Sequence, residues 1–424
     1  MGAGTLNLTG TSPTATIGAA GAPVVVLDMT TTALSGVLQI RSGTGQLRIG
    51  GTGTGTLSIA GGVVSNWWGF VGNESGARGT VAITGGTWAN GGNLAVGLSG
   101  TGTLTMTGGV VTVGGTLSKG TYGTINLSPG GGLHIGTGGT TGVLDTDLTN
   151  NGTLVFNRSD ASIFAGVVSG SGAISKRGVG NLKLTGPNAL TGSTTIQQGT
   201  LQLAHAAALS ASTVSVLSGG TLSLSPGLVT TIGGLKPGSG GVVDVGNGLL
   251  TVAEGLSTFN LYVSLSTGRG SGSWDGTAGI KSGSAAASGG SRTVGWLDNG
   301  DGSVTFGYAA PGDTNLDWKL DIIDIANLLG SGKVDTGLTA TWAEGDFNYD
   351  GFADILDITD IVATGLFDTD SYNAATGALA AVPEPATLGL VGVAAGVALV
   401  IAATRKRVPP SANPDADTER VLVP

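Results

Sequence analysis

The sequence predicts a mainly β protein: a parallel β-helix body (solenoid), then a small α-helical module and one C-terminal transmembrane helix. Three observations predict it. A Gly-Thr-apolar-x-apolar run recurs at the length of one solenoid coil, an acidic twelve-residue loop is written twice, and an uncharged span near the C-terminus ends in a basic cluster.

The coil pattern occupies the body. Runs starting at Gly55-Thr56, Gly79-Thr80, Gly102-Thr103 and Gly123-Thr124 lie 24, 23 and 21 residues apart. Alternate apolar residues such as Leu104 and Met106 should point inward, with Thr103, Thr105 and Thr107 outward. The glycine pairs Gly61-Gly62, Gly85-Gly86 and Gly108-Gly109 suit corners that need positive φ. One coil buries too little to stand alone, so coils must stack, backbone on backbone, at about 4.8 Å. A series of β-sandwiches is the competing architecture, and it leaves the coil-length recurrence unexplained.

Composition agrees. A chain of 424 residues with 81 Gly and 11% charged residues can bury a large core only if glycine sits at turns with apolar residues between. The absence of Cys excludes a disulfide framework and thiol catalysis. Residues 1–312 carry ten acids and twelve bases, so the net charge of −9 belongs to the C-terminal part. No basic surface for nucleic acid is implied.

Seven segments follow: Gly-rich coils over 1–149, a distinct repeat over 150–204, a Gly/Ser-rich β region continuing the solenoid over 205–312, the calcium module over 313–370, a linker over 371–385, the membrane helix over 386–404, and a basic cluster with a polar tail over 405–424. The second segment runs through Gly170, Gly172, Lys176, Gly178 and Gly180, then Leu182, Leu184 and Gly186. It continues through Asn188, Thr191, Gly192, Thr195 and Ile196 to Gly199, Thr200, Leu201 and Leu203. This spacing resembles the autotransporter-associated β-strand repeat, and the resemblance implies a passenger-type β-helix. No stretch reads as that family's C-terminal membrane barrel, so a different export route is expected.

In the calcium module, Asp313, Asn315, Asp317, Asp321 and Asp324 recur 33 residues later as Asp346, Asn348, Asp350, Asp354 and Asp357. These are positions 1, 3, 5, 9 and 12 of a loop that wraps oxygens around a hard cation, with Lys319 and Phe352 giving carbonyls from position 7. Thirteen acids face two lysines over 313–370, so a divalent cation is needed to relieve repulsion; a solvated acidic linker is the plain alternative. Helical patterns trail each loop, through Ile322, Ile325 and Leu328, and through Ile355, Ile358, Ile361 and Val362. Two such loops with only trailing helices resemble the dockerin type I domain, which implies two calcium ions and a cohesin-like protein partner. Position 6 of the first loop is Trp318, where Gly351 stands in the second. A bulky residue at positive φ is strained, so three readings follow: a weaker first site, an exposed partner contact, or packing against Trp342 or the trailing helices.

Residues 386–403 carry no charge and would span roughly 27 Å as a helix. Pro383, Glu384 and Pro385 precede them, and Arg405, Lys406 and Arg407 follow. The basic cluster should stay cytoplasmic, leaving residues 1–385 outside. Together these features resemble the PEP-CTERM sorting signal, which implies handling by an exosortase-type membrane protease and then release or surface attachment; a permanent single-pass anchor is the plain alternative. Met1 runs straight into coil pattern without a charged-then-apolar leader, so an N-terminal signal peptide is absent from this chain and an internal start is expected.

Catalytic candidates are few. Asp145 and Asp147 alternate along one strand and could form an acid–base pair, though they read more simply as solvated positions. His134 and His205 are isolated. Trp67 and Trp68 cannot both face the core of one strand, so one of them should be exposed, where sugar stacking or partner contact is open to it; packing at a coil corner is the plain alternative. The expected function is therefore an exported surface or adhesion protein displaying a calcium-dependent docking module. Its rival is a carbohydrate-active or carbohydrate-binding component of a polysaccharide-degrading assembly, with surface polysaccharide as a partner.

Overall fold

The computed structural model describes residues 45–373 and three earlier strands, Thr14–Ile17, Val24–Leu27 and Val37–Ile40. The body is a parallel β-solenoid. Each coil sends one strand to a long sheet of fourteen strands and the others to two further faces.

The Gly-Thr runs lie on one of those faces and stack as the sequence expects. Gly55, Gly79, Gly102 and Gly123 are in register, and so are Leu57, Val81, Leu104 and Ile125. All four of the latter are buried, and Ile59, Ile83, Met106 and Leu127 form the next buried row. The glycine row reflects close approach: a Cβ on Gly102 would sit 2.2 Å from the Val71 carbonyl oxygen. The corner glycines Gly62, Gly86 and Gly109 take φ of 68°, 68° and 63°, as a tight corner requires.

Lys176, from the repeat over 150–204, is buried at 2% exposure. Its ammonium donates to the carbonyls of Arg177, Gly178 and Gln198 at 2.9, 2.8 and 3.1 Å, which satisfies all three protons. Asn188 does a similar task one corner on, accepting from the Val168 amide and donating to the Ala208 carbonyl.

Over 205–312 the solenoid continues without interruption to Leu249–Glu254. There the chain inserts helix α1, Thr258–Arg269, capped by Ser257 and buried through Leu261, Leu265 and Gly268. Strand Gly279–Lys281 returns to the stack and short helix α2, Gly283–Ala286, follows. Strand Val304–Ala309 then pairs antiparallel with both Leu249–Glu254 and Thr293–Asp298. That reversal covers the last parallel strand of the long sheet, an edge that would otherwise offer unpaired backbone groups. Helix α1 and the antiparallel pair are additions to the β region expected over 205–312, and α1 is the element that the Gly/Ser bias concealed.

The C-terminal segment packs directly onto this cap. Trp318 donates its indole N–H to the Tyr308 carbonyl at 2.8 Å, Tyr349 donates to the Val294 carbonyl, and Asn373 and Asn247 exchange amide contacts at 2.9 and 2.7 Å. Arg269 and Arg292 lie over the rings of Tyr349 and Tyr372. No helix among the described residues is long and apolar enough to cross a membrane. The expected span 386–404, the motif Pro383-Glu384-Pro385 and the cluster Arg405-Lys406-Arg407 lie outside the described residues.

Candidate metal centre

The two acidic loops share a set of internal hydrogen bonds. Position 1 accepts from the position 6 amide in each: Trp318 N–H to Asp313 Oδ2 at 3.0 Å, and Gly351 N–H to Asp346 Oδ2 at 3.1 Å. Position 3 accepts from position 5, Asp317 to Asn315 at 3.0 Å and Asp350 to Asn348 at 2.8 Å. Position 5 accepts from position 7, Lys319 to Asp317 at 2.8 Å and Phe352 to Asp350 at 3.0 Å. Both loops also reach positive φ at position 4, Leu316 and Tyr349, and at position 6, Trp318 and Gly351.

Positions 9 and 12 have a second role. Asp321 and Asp354 are N-caps of helices α3, Ile322–Gly330, and α4, Ile355–Thr364. Asp324 and Asp357 complete capping boxes by accepting from the cap amides at 2.9 and 3.0 Å. Their other oxygens accept from the start of the loop, Thr314 N–H on Asp324 and Phe347 N–H on Asp357, both at 2.8 Å. Helix capping thus explains part of the spacing by itself. Among the described residues no group of three His, Cys, Asp or Glu side chains is disposed to hold a metal ion.

What capping leaves unexplained is position 1. Asp313 and Asp346 are buried, and in each the Oδ1 atom has no hydrogen-bond partner. An orphaned carboxylate oxygen in the interior is costly unless a proton or a cation meets it. Burial raises the Asp313 carboxyl well above its usual range, with the nearby Asp324 charge adding to the effect. Burial also pushes Asp324 and Asp346 up to about 6, and raises Asp357. Position 1, the Asn and Asp side chains at 3 and 5, and the carbonyls of Lys319 and Phe352 make an all-oxygen donor set that suits a hard cation.

Trp318 is fully buried with its indole on the cap, so the expectation of an exposed partner contact is corrected. Its α-left conformation matches that of Gly351, and the loop backbone is not altered by the bulky side chain. Trp342 packs edge-on against Phe347 and donates to the Asp313 carbonyl at 2.8 Å.

The structure separates the other candidates. Asp145 ends strand Val143–Asp145, whereas Asp147 lies beyond it and accepts from the Val167 amide, so the two do not share one strand. His134 faces outward from the long sheet, where burial and Arg177 lower its pKa, and His205 Nδ1 accepts from Ala207 N–H. Trp67 and Trp68 both face outward, and Trp88 is buried with its indole on Asn66. Sequence alternation missed the second exposed indole because the strand breaks between Asn66 and Trp68.

Comparison with known proteins bears on two segments of the chain. Residues 381–407 match the PEP-CTERM protein-sorting motif. Residues 174–203 match the Passenger-associated-transport-repeat family, within the segment that resembles autotransporter repeats. A 90-residue stretch is 32% identical to the Adhesin BmaC autotransporter of Brucella suis biovar 1 (strain 1330). That stretch is 21% of this chain and only 3% of the relative's length. No solved structure matches. The sorting motif and the transport-associated repeat mark an exported protein of the cell surface.

Proposed function

We propose that this protein is a surface adhesin whose solenoid presents a calcium-ordered docking module at its C-terminal end. The observation that carries the calcium reading is the pair of orphaned, buried position 1 oxygens on Asp313 and Asp346, in two loops of one backbone form. When bound, calcium supplies the positive charge those carboxylates lack. The loop residues do the rest: Asn315 and Asn348 hold the turn, and Asp324 and Asp357 tie each loop to its helix.

Docking of a cohesin-like protein partner is supported by apolar side chains that the second loop and its helix leave exposed. Ile355 and Val362 are 67% and 74% exposed, and Phe352 and Leu356 lie beside them in sequence. Patches of this kind mark contact surfaces. The adhesive role draws on the similarity to a protein named an adhesin and on the sorting motif. In this reading residues 386–404 hold the chain in the membrane, residues 1–385 lie outside, and an exosortase-type protease acts at the sorting segment.

Calorimetric titration of the full chain with calcium tests the proposal. Wild type should release or absorb heat saturably, with most of the second-loop signal lost in Asp346→Ala and Asp357→Ala. Identical titrations for wild type and both variants would remove calcium from the account.

A further inference from the structure

One corner of the solenoid carries features that neither the loops nor the sorting motif use. It follows each strand of the long sheet, where Asn66, Asn90, Val113, Ile135, Phe156 and Lys176 are in register. The next residue along is Trp67 in one coil, Gly91 and Gly114 in the following two, and later Asn157 and Arg177, with Gln197 one coil beyond. From Trp67 to Gln197 is six coil steps, roughly 29 Å at the usual strand spacing.

At one end stand two exposed indoles, Trp67 at 42% and Trp68 at 37%. They are held in place. A Cβ on Gly91 would lie 2.8 Å from the Trp67 ring, and one on Gly92 would lie 2.6 Å from Trp68, so each ring rests on a glycine. Beneath them the Trp88 indole donates to Asn66, Asn66 to Asn90, and Asn90 to the Gly92 carbonyl, at 2.7, 2.5 and 2.7 Å. Flat aromatic surface that is both exposed and fixed stacks on a ligand without first losing rotamer freedom.

At the other end is an open cleft of about 460 Å³, lined among others by Asn157, Ser159, Arg177, Gln197 and Gln198. No acid lines it. Neighbouring Arg158 is committed to Asp160 at 2.9 Å and to the Gly142 carbonyl, whereas Arg177 forms no ion pair among the described residues. The cleft therefore offers one uncommitted cation among carboxamides and a hydroxyl.

The geometry points to an acidic polysaccharide as the ligand of this corner, with pyranose faces stacked on Trp67 and Trp68 and a uronate carboxylate on Arg177. Stacking, hydroxyl recognition and anion recognition are spread along one line, which fits an extended polymer of sugar acids. A peptide added as a strand would need free backbone N–H groups. The amides of Gly91, Gly114 and Gly136 already donate to the preceding coil. This inference rests on the surface-adhesion reading and names the class of ligand for it.

Affinity electrophoresis of the full chain in detergent and chelator, through gels containing polygalacturonate or dextran, tests it; chelator removes any part played by the loops. Polygalacturonate should retard the wild-type chain and dextran should not. Arg177→Gln, Gln197→Glu and the pair Trp67→Ala/Trp68→Ala should each weaken retardation at least fivefold, with unfolding midpoints near wild type. Added salt should release wild type more than Arg177→Gln. Equal retardation by dextran, no retardation by polygalacturonate, or folded variants that behave as wild type would overturn it. Surface display is read separately, by antibody labelling of intact cells, so its failure is distinguishable from failure of the glycan site.

Discussion

Tyr372 donates its hydroxyl proton to Asp313, the first oxygen position of the first loop, from 59 residues further along the chain. The same hydroxyl accepts from the Ala310 amide at 2.9 Å, on the solenoid side. One side chain thus ties the loop to the cap. Its ring lies 6.3 Å from that of Tyr308 and under Arg292, contacts that phenylalanine would keep.

Tyr372→Phe should therefore isolate the hydroxyl. It leaves a buried carboxylate and a backbone amide each one partner short, which costs about 1–3 kcal/mol. Urea unfolding followed by tryptophan fluorescence, with Trp318 and Trp342 nearby as reporters, measures it. An unchanged midpoint would show that the hydroxyl does not hold the two parts together.

Trp318 and Gly351 occupy equivalent α-left positions, at φ of 67° and 93°, but in opposite surroundings. A Cβ on Gly351 would meet nothing within 4 Å, whereas the Trp318 side chain is wholly buried. For Trp318→Gly, relief of the left-handed backbone is worth about 1–2 kcal/mol. Loss of a buried tryptophan costs about 3–5 kcal/mol. Packing wins, so the variant should be less stable by about 1–4 kcal/mol in urea unfolding. A stabilised variant would mean that strain, and not burial, governs this position.

These two loops also show where sequence reading runs out. The five repeated oxygens were legible because both loops keep one register, yet Asp321 with Asp324 and Asp354 with Asp357 satisfy the spacing of a capping box as well as of a cation loop. Spacing does not separate the two roles, and the cation reading rests on the orphaned Oδ1 atoms of Asp313 and Asp346, which helix capping does not use. The solenoid was legible because Leu57, Val81, Leu104 and Ile125 recur at coil length and fall into register. Helix α1 was not, since only Ser257 followed by Leu261 and Leu265 marks it within a Gly/Ser-rich stretch. Docking of the loops onto the cap was hidden too, because Tyr349 meets Val294 and Asn373 meets Asn247 across 55 and 126 residues.

Lys176 gives the solenoid a pH dependence of definite sign. Burial pushes its ammonium from the usual 10.5 down to about 8, while three carbonyls share its protons. Between pH 8 and 10.5 the unfolded chain holds this proton and the folded chain has released it, so stability contributed here rises with pH through that window. Across the whole window the two proton affinities make this worth on the order of 1–3 kcal/mol. Lys176→Met keeps most of the buried chain and removes the titration. The difference in urea midpoint between wild type and Lys176→Met, measured at pH 7, 9 and 10.5, should therefore shift in favour of wild type as pH rises. A difference that stays constant, or that moves toward the variant, would show that the carbonyl cage holds the proton more firmly than burial repels it.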